Sequence, residues 1–203
     1  MKLYNAPIPA PNPRRVRIFL AEKGVSIPLE DVSIRDRAHK APEFKQKNSL
    51  GQLPVLELDN GTHLSESVSI CRYLEELHPT PALFGNNAVE RAHVDMWIRR
   101  IEMTVMTPVG AVWVHTHPYT SRLGTQYKDY GESNRERYAK ALQWFDRELE
   151  GREFVTGSTY TMADIIAVVA IDFATFVGLP MTTDTPHLAA WHTRVSARPS
   201  ASA

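Results

Sequence analysis

Cysteine is almost missing from this sequence: Cys71 is the only one in 203 residues. A single thiol excludes an intrachain disulfide and a Cys-x-x-Cys redox pair. It fits a cytosolic setting. Excess charge is missing too. Lysine plus arginine number 23 and aspartate plus glutamate number 23, so neither nucleic acid nor an anionic membrane surface is a default partner. No apolar run is long enough to span a bilayer, so no membrane association is expected. The start, Met1-Lys2-Leu3-Tyr4, enters a strand-like pattern without the layout of a signal peptide. Internal repeats and low-complexity tracts are absent. What remains is an ordinary globular balance, 43% hydrophobic and 23% charged. The length suits one large domain or two small ones.

Taken in order, Lys2 to Asn5 reads as a first strand. Pro7, Pro9, Pro11 and Pro13 then stiffen a short loop, because each fixes φ and restrains the residue before it. Asn12 before Pro13 reads as an N-cap followed by proline at the first helical position. The helix is expected over 13–23, with Val16, Phe19 and Leu20 on its apolar face and Gly24 as its stop. Leu29 to Ser33 is a second strand, and Pro42-Glu43-Phe44 a short helix.

Asn48 to Ser67 is the stretch around which the first half is organised. Gly51-Gln52-Leu53-Pro54 turns into an apolar strand, and Asp59-Asn60-Gly61-Thr62 supplies a tight hairpin turn. His63-Leu64 returns, and Ser65-Glu66-Ser67 opens a helix running to Leu77, with Ser65 as N-cap and Glu66 in the first turn. Proline donates nothing to a sheet ladder, so Pro54 belongs at the first residue of its strand or on an edge. There the backbone of a neighbour is left free to pair with an extended ligand, and a hydroxyl-bearing helix N-terminus just beyond suits a carboxylate. A plain hairpin followed by an ordinary cap fits the same residues.

The order β-α-β, hairpin, α is thioredoxin-like. It predicts a domain over 1–79, a linker over 80–86 and an all-helical domain over 87–203, that is, α/β plus all-α. In the second half, 87–114 reads as a long helical stretch bent by Pro108-Val109-Gly110. Tyr127 to Leu149 is another helix, with Leu142, Phe145 and Leu149 on one face. Phe154-Val155-Thr156-Gly157 reads as an extended connector. Thr161-x-x-Asp164 is a capping box opening a helix over 165–177, apolar enough to be the core of its domain. A last helix over 186–197 turns Leu188, Trp191 and Val195 inward, and 200–203 looks too short for a further one.

These ordered motifs, Asn12-Pro13-Arg14-Arg15-Val16-Arg17, the block from Gly51 to Ser67, the box Thr161-x-x-Asp164 and the closing Leu188-x-x-Trp191-x-x-x-Val195-x-x-Arg198-Pro199, together resemble the glutathione S-transferase superfamily. Within it the chain looks like a bacterial member of the yeast-type subgroup that lacks the standard Tyr, Ser or Cys. The resemblance implies glutathione as co-substrate. A cis-proline, Pro54, exposes the backbone of Leu53, which with Gln52 contacts the peptide. Glu66 and Ser67 hold the γ-glutamyl end, and His39 and Lys40 reach the glycyl carboxylate; solvated loop charge is the plain alternative for the last two. A homodimer is also implied, with Glu90, Arg91 and Asp95 as interface charges or as an ordinary solvated face.

The chemistry of that family needs a thiolate, and a free thiol is mostly protonated at neutral pH. Members supply a Tyr, Ser or Cys near the first helix. Here Ala10 occupies that place, and no Ser, Thr or Cys lies between Met1 and Asn12. Tyr4 reads as strand packing, and Cys71 as a small buried residue. Asn12 remains as an amide donor or merely a cap. His115-Thr116-His117-Pro118-Tyr119-Thr120-Ser121 follows the bent helix, where a pocket between domains usually lies. By resemblance His115 and Ser121, with His117 as substitute, hold an activating water; a partly exposed loop pair is the alternative. No metal site is expected. Met103, Met106, Trp113 and Tyr119 would make an apolar substrate side or belong to core. The expected function is conjugation of glutathione to a small, largely apolar electrophile. A glutathione-dependent peroxidase or disulfide reductase, and a non-catalytic glutathione-binding module favoured by Ala10, are the alternatives.

Overall fold

The computed structural model describes residues 1–7 and 9–203. The chain forms two compact units, Met1–Leu83 with Pro199–Ala203, and Phe84–Arg198. In the first unit β1 (Lys2–Asn5), β2 (Leu29–Asp31), β3 (Val55–Glu57) and β4 (His63–Ser65) make one mixed sheet in the order β2-β1-β3-β4. β1 pairs parallel with β2 and antiparallel with β3, and β3 pairs antiparallel with β4. This is the thioredoxin-like order. Alternation along the strands sets two faces. Tyr4 and Val55 share one with Phe44 of α2 (Pro42–Lys45), the Tyr4 and Phe44 rings meeting edge to face at 5.8 Å. Leu3 and Leu56, one position along, turn to the other face and are fully buried.

α1 (Pro11–Lys23) and α3 (Ser67–Leu77) pack together, and Val16 and Phe19 of the first and Ile70, Cys71 and Leu74 of the second are buried. Lys23 Nζ meets Glu75 Oε2 at 2.5 Å and ties the two helices. α1 starts two residues earlier than expected, with Ala10 at the cap position and no side-chain cap bond. Asn12 is therefore not the cap. The first N–H groups of a helix have no intrahelical partner, so Pro11 and Pro13 both fit the first turn without losing a bond. α3 also differs. Ser65 is held in β4 opposite Val55, so it cannot cap, and the chain turns at Glu66 with φ +68°. The last residues form a 3₁₀ turn, Pro199–Ser202, and Arg14 Nη2 donates to Ala201 O at 2.8 Å.

In the second unit α4 (Ala88–Ile101) is capped by Asn87, whose Oδ1 accepts from Glu90 N at 3.0 Å. A π turn, Glu102–Met106, joins it to α5 (Thr107–Thr116). The irregularity lies upstream of Pro108, not at 108–110. A proline ring crowds the carbonyl four residues back and offers no N–H, and a wider turn before it absorbs that mismatch. Thr107 N–H accordingly reaches Glu102 O.

α6 (Lys128–Leu149), α7 (Met162–Phe176) and α8 (Pro186–Ser196) complete the unit. α7 is buried almost all round, and Phe145 and Trp191 meet edge to face at 5.5 Å beside it. Its capping box is formed. The segment 154–157 is a tight turn instead of an extended connector. Phe154 and Gly157 exchange two backbone bonds, 2.7 and 3.0 Å, which the φ of +125° at Gly157 permits. No helix among the described residues is long and apolar enough to cross a membrane.

Candidate functional site

The antiparallel register fixes the centre of the candidate site. Val55 pairs with Ser65, so Pro54 and Glu66 are the next residues outward on the two strands. The Leu53–Pro54 peptide is cis. Pro54 lies immediately before β3, where its missing N–H removes no ladder bond. Glu66 is exposed, whereas Ser67, the first residue of α3, is 5% exposed. Arg15, buried on α1, donates from Nη1 to Ser67 Oγ at 3.4 Å. This guanidinium adds positive potential to a helix N-terminus that already favours anions.

His39 and Lys40 lie on a 3₁₀ turn, Ala38–Lys40, half-buried. Lys40 Nζ donates to Leu50 O at 2.9 Å, which brings it to the turn that carries Gln52 and Leu53. Burial pushes the His39 imidazole below its ordinary range, and the neighbouring Lys40 charge adds to that. His39 is thus neutral near pH 7. Burial also lowers Lys40, as do Lys45 and Arg37. Gln52 is exposed and Leu53 half-buried. The first unit therefore gathers Gln52, Leu53, Pro54, Glu66 and Ser67, with His39 and Lys40 tied to the same turn. Asn12 is exposed in the first turn of α1.

The other candidates lie in the second unit. His115, half-buried on α5, accepts at Nδ1 from Tyr127 N at 3.3 Å and sits edge-on to Tyr130 at 5.4 Å. His117 accepts at Nδ1 from Tyr119 N at 3.2 Å and lies 4.4 Å from Trp113, ring to ring. A backbone N–H donating to Nδ1 places the proton of the neutral ring on Nε2. Both histidines are therefore N–H donors at Nε2. Ser121 is exposed on the 3₁₀ turn Pro118–Arg122, and its hydroxyl donates to Pro118 O at 2.7 Å. Its lone pairs remain as acceptors. Met103 is exposed; Met106, Trp113 and Tyr119 are half-buried.

Two features escape the sequence. Arg15 adjoins the candidate site through its bond to Ser67, a contact that nothing in Arg14-Arg15 as a sequence announces. Arg17 Nη1 donates to Asn5 Oδ1 and Ala6 O, at 2.7 and 2.9 Å, and so ties β1 to the chain that leaves it. Cys71 is fully buried, and burial pushes its thiol up, so it is not a nucleophile. Among the described residues no cluster of His, Cys, Asp and Glu has the makings of a metal site.

Comparison with known proteins covers nearly the whole chain. The family described as glutathione S-transferase, N-terminal domain, matches residues 10–77, and that described as glutathione S-transferase, C-terminal domain, matches 94–199. Glutathione S-transferase 2 of Saccharomyces cerevisiae is 36% identical over 98% of this chain and 87% of its own length. The crystal structure of Gtt2 from the same yeast superposes with a TM-score of 0.94 at 35% identity, covering 100% of this chain and 99% of that one. A glutathione S-transferase-I bound with the ligand lactoylglutathione superposes with a TM-score of 0.82 at 26% identity, over 99% and 96% of the two chains.

Proposed function

This chain belongs to the glutathione S-transferase family, and from that premise we propose that it joins glutathione, through its thiolate, to a small and largely apolar electrophile. It acts as a cytosolic homodimer, and the outcome is detoxification of the electrophile. The observation that carries this reading is the β3–β4 register, which sets the backbone beside Pro54 next to the N-terminus of α3.

Glutathione is an extended peptide with a zwitterionic end, and each part has a matching group. The backbone of Gln52 and Leu53 aligns the cysteinyl part. The γ-glutamyl end carries an ammonium, which suits the Glu66 carboxylate, and a carboxylate, which suits Ser67 Oγ and the α3 N-terminus backed by Arg15. The glycyl carboxylate goes to Lys40 as the charged partner, with neutral His39 beside it as a hydrogen-bonding group. The thiol loses its proton to solvent. Its sulfur then forms a bond to the electrophilic carbon, and the electron pair displaced there leaves with the departing group or is protonated.

Holding the thiolate requires donors, which lower its pKa by stabilising the charged form. We assign this to His115 and Asn12 as donors, with Ser121, whose proton goes to Pro118 O, accepting from the water that His115 also holds. The Nε2–H tautomers of His115 and His117 make them donors and not bases, so they act by stabilising S⁻, directly or through water, and not by taking its proton. Met103, Met106, Trp113 and Tyr119 supply apolar surface for the electrophile. With Cys71 buried, disulfide exchange through a protein thiol is not part of the reading. The module that binds without turnover is the second reading, because Ala10 stands where a thiol-activating side chain is usual.

A glutathione titration that follows thiolate absorbance against pH tests the assignment. Bound glutathione should ionise below its free pKa in the wild type. The double change His115→Ala with Ser121→Ala should return it to the free value while glutathione still binds. Binding with an unshifted thiol in the wild type would select the non-catalytic module and discard the assignment of His115, Ser121 and Asn12.

A further inference from the structure

The turn over 48–52 is closed on itself by Asn48, and at Gly51 it lies directly against the turn that carries His39 and Lys40. Asn48 is 8% exposed, and both ends of its amide are spent on backbone. Leu50 N donates to Asn48 Oδ1 at 3.2 Å, and Asn48 Nδ2 donates to Gln52 O at 3.0 Å. Gly51 N donates to Asn48 O at 2.7 Å. Gly51 itself has φ +55°, and a Cβ built there would stand 2.6 Å from His39 O and 3.1 Å from Lys40 Cδ. Any side chain at position 51 must push the 38–40 turn away. Lys40 closes the gap from the other side by donating to Leu50 O at 2.9 Å. An ammonium has three donors, so this bond leaves two for a ligand.

We propose that Asn48 and Gly51 are positioning residues for the glycyl end of glutathione. They hold Lys40 and His39 at a fixed distance from the backbone of Gln52 and Leu53, so that the peptide backbone and its terminal carboxylate are read by one rigid frame. The inference rests on the glutathione reading above, and on His39 and Lys40 as the glycyl contacts. A frame that is preorganised avoids paying ordering entropy at each binding event. A residue that only stabilised the turn would lower stability without favouring one part of the ligand over another.

That difference sets the test. γ-Glutamylcysteine lacks the glycyl residue but keeps the γ-glutamyl end and the thiol. Steady-state kinetics with chlorodinitrobenzene as electrophile compare it with glutathione for the wild type, Gly51→Ala and Asn48→Ala, and thermal unfolding is recorded for each. The wild type should prefer glutathione. Gly51→Ala should raise KM for glutathione about tenfold, with KM for γ-glutamylcysteine and both kcat values within about twofold. Asn48→Ala should move the same way by a smaller factor. Equal losses on both thiols, or a lower melting temperature with KM unchanged, would make both residues purely structural and overturn the inference. A wild type with equal KM for the two thiols overturns it at its root, because the glycyl contacts are then wrong. A wild type that does not bind glutathione at all removes the proposed function itself.

Discussion

Asp164→Ala should lower the free energy of unfolding by about 4 kcal/mol, the size expected when several buried hydrogen-bond donors lose their acceptor together. The side chain of Asp164 is fully buried at the start of α7. Its Oδ1 accepts from Val155 N and Trp191 Nε1, both at 2.9 Å. Its Oδ2 accepts from Thr161 N at 2.9 Å and from Thr161 Oγ at 3.3 Å. Alanine strands the three N–H donors, whereas Thr161 Oγ still has Thr156 Oγ at 3.4 Å. Each buried donor left without a partner costs about 1–3 kcal/mol, but they share one site, so the total saturates below the sum. For a chain of this length the loss corresponds to a fall of about 12 °C in melting temperature. Thermal unfolding followed by circular dichroism reads it directly. A fall under about 3 °C would mean that water takes over the donors and that Asp164 is only a local cap.

The same residue sets a pH dependence. Burial pushes its carboxyl from 3.8 up to about 6, against the pull of its four donors. The folded chain therefore keeps a proton here between about pH 4 and 6 that the unfolded chain has released. Stability rises with pH wherever the unfolded state binds more protons, and here the folded state binds more. The stabilisation linked to this proton is thus fully present below about pH 4 and is lost as pH rises through about 6. Asp164→Asn removes the titration, and that slope should vanish from a plot of unfolding free energy against pH.

The capping box shows how far local pattern reaches. Thr161-x-x-Asp164 is readable because both partners lie within one turn, and the box is present. The bonds from Asp164 to Val155 and Trp191 span nine and 27 residues, and no local pattern encodes them. The Asn-Gly hairpin, the glycine stop at Gly24 and the apolar helix α7 were legible for the same reason: each is a short-range backbone or periodicity requirement. The errors fall where two local rules compete. Asn12-Pro13 and Pro11 both satisfy a helix start, and the earlier one prevails. Ser65 is a good cap by type, but its pairing with Val55 keeps it extended. Pro108 locates a disturbance in α4 and α5 but not its form, because the strain is absorbed upstream. In the candidate site, Pro54, Glu66 and Ser67 follow from the strand register. Arg15 does not, since nothing in a run of arginines says which one turns inward to a serine on another helix.

Ser67 and Glu66 give the test in which function and stability part company. Ser67→Ala should weaken glutathione binding by about 1.5–3 kcal/mol, the range for a hydrogen bond to a charged group, or roughly ten- to 150-fold in Kd. It also removes the acceptor of Arg15 Nη1, so a modest loss of stability accompanies it. Glu66 is a non-glycine residue at φ +68°, a conformation that costs an L-residue about 1 kcal/mol. Strain of this kind persists where the surroundings impose it, and it concentrates at binding sites. Glu66→Gly should therefore raise the melting temperature, because glycine takes this φ without the steric cost. The same change deletes the carboxylate assigned to the γ-glutamyl ammonium, so affinity should fall. Calorimetric titration with glutathione, paired with thermal unfolding, reads both quantities on one sample. Opposite signs for Glu66→Gly mean that its backbone strain is retained for the ligand. If Ser67→Ala lowers only the melting temperature, and Glu66→Gly leaves Kd unchanged, the two residues are a helix start and nothing more, and the γ-glutamyl end must bind elsewhere.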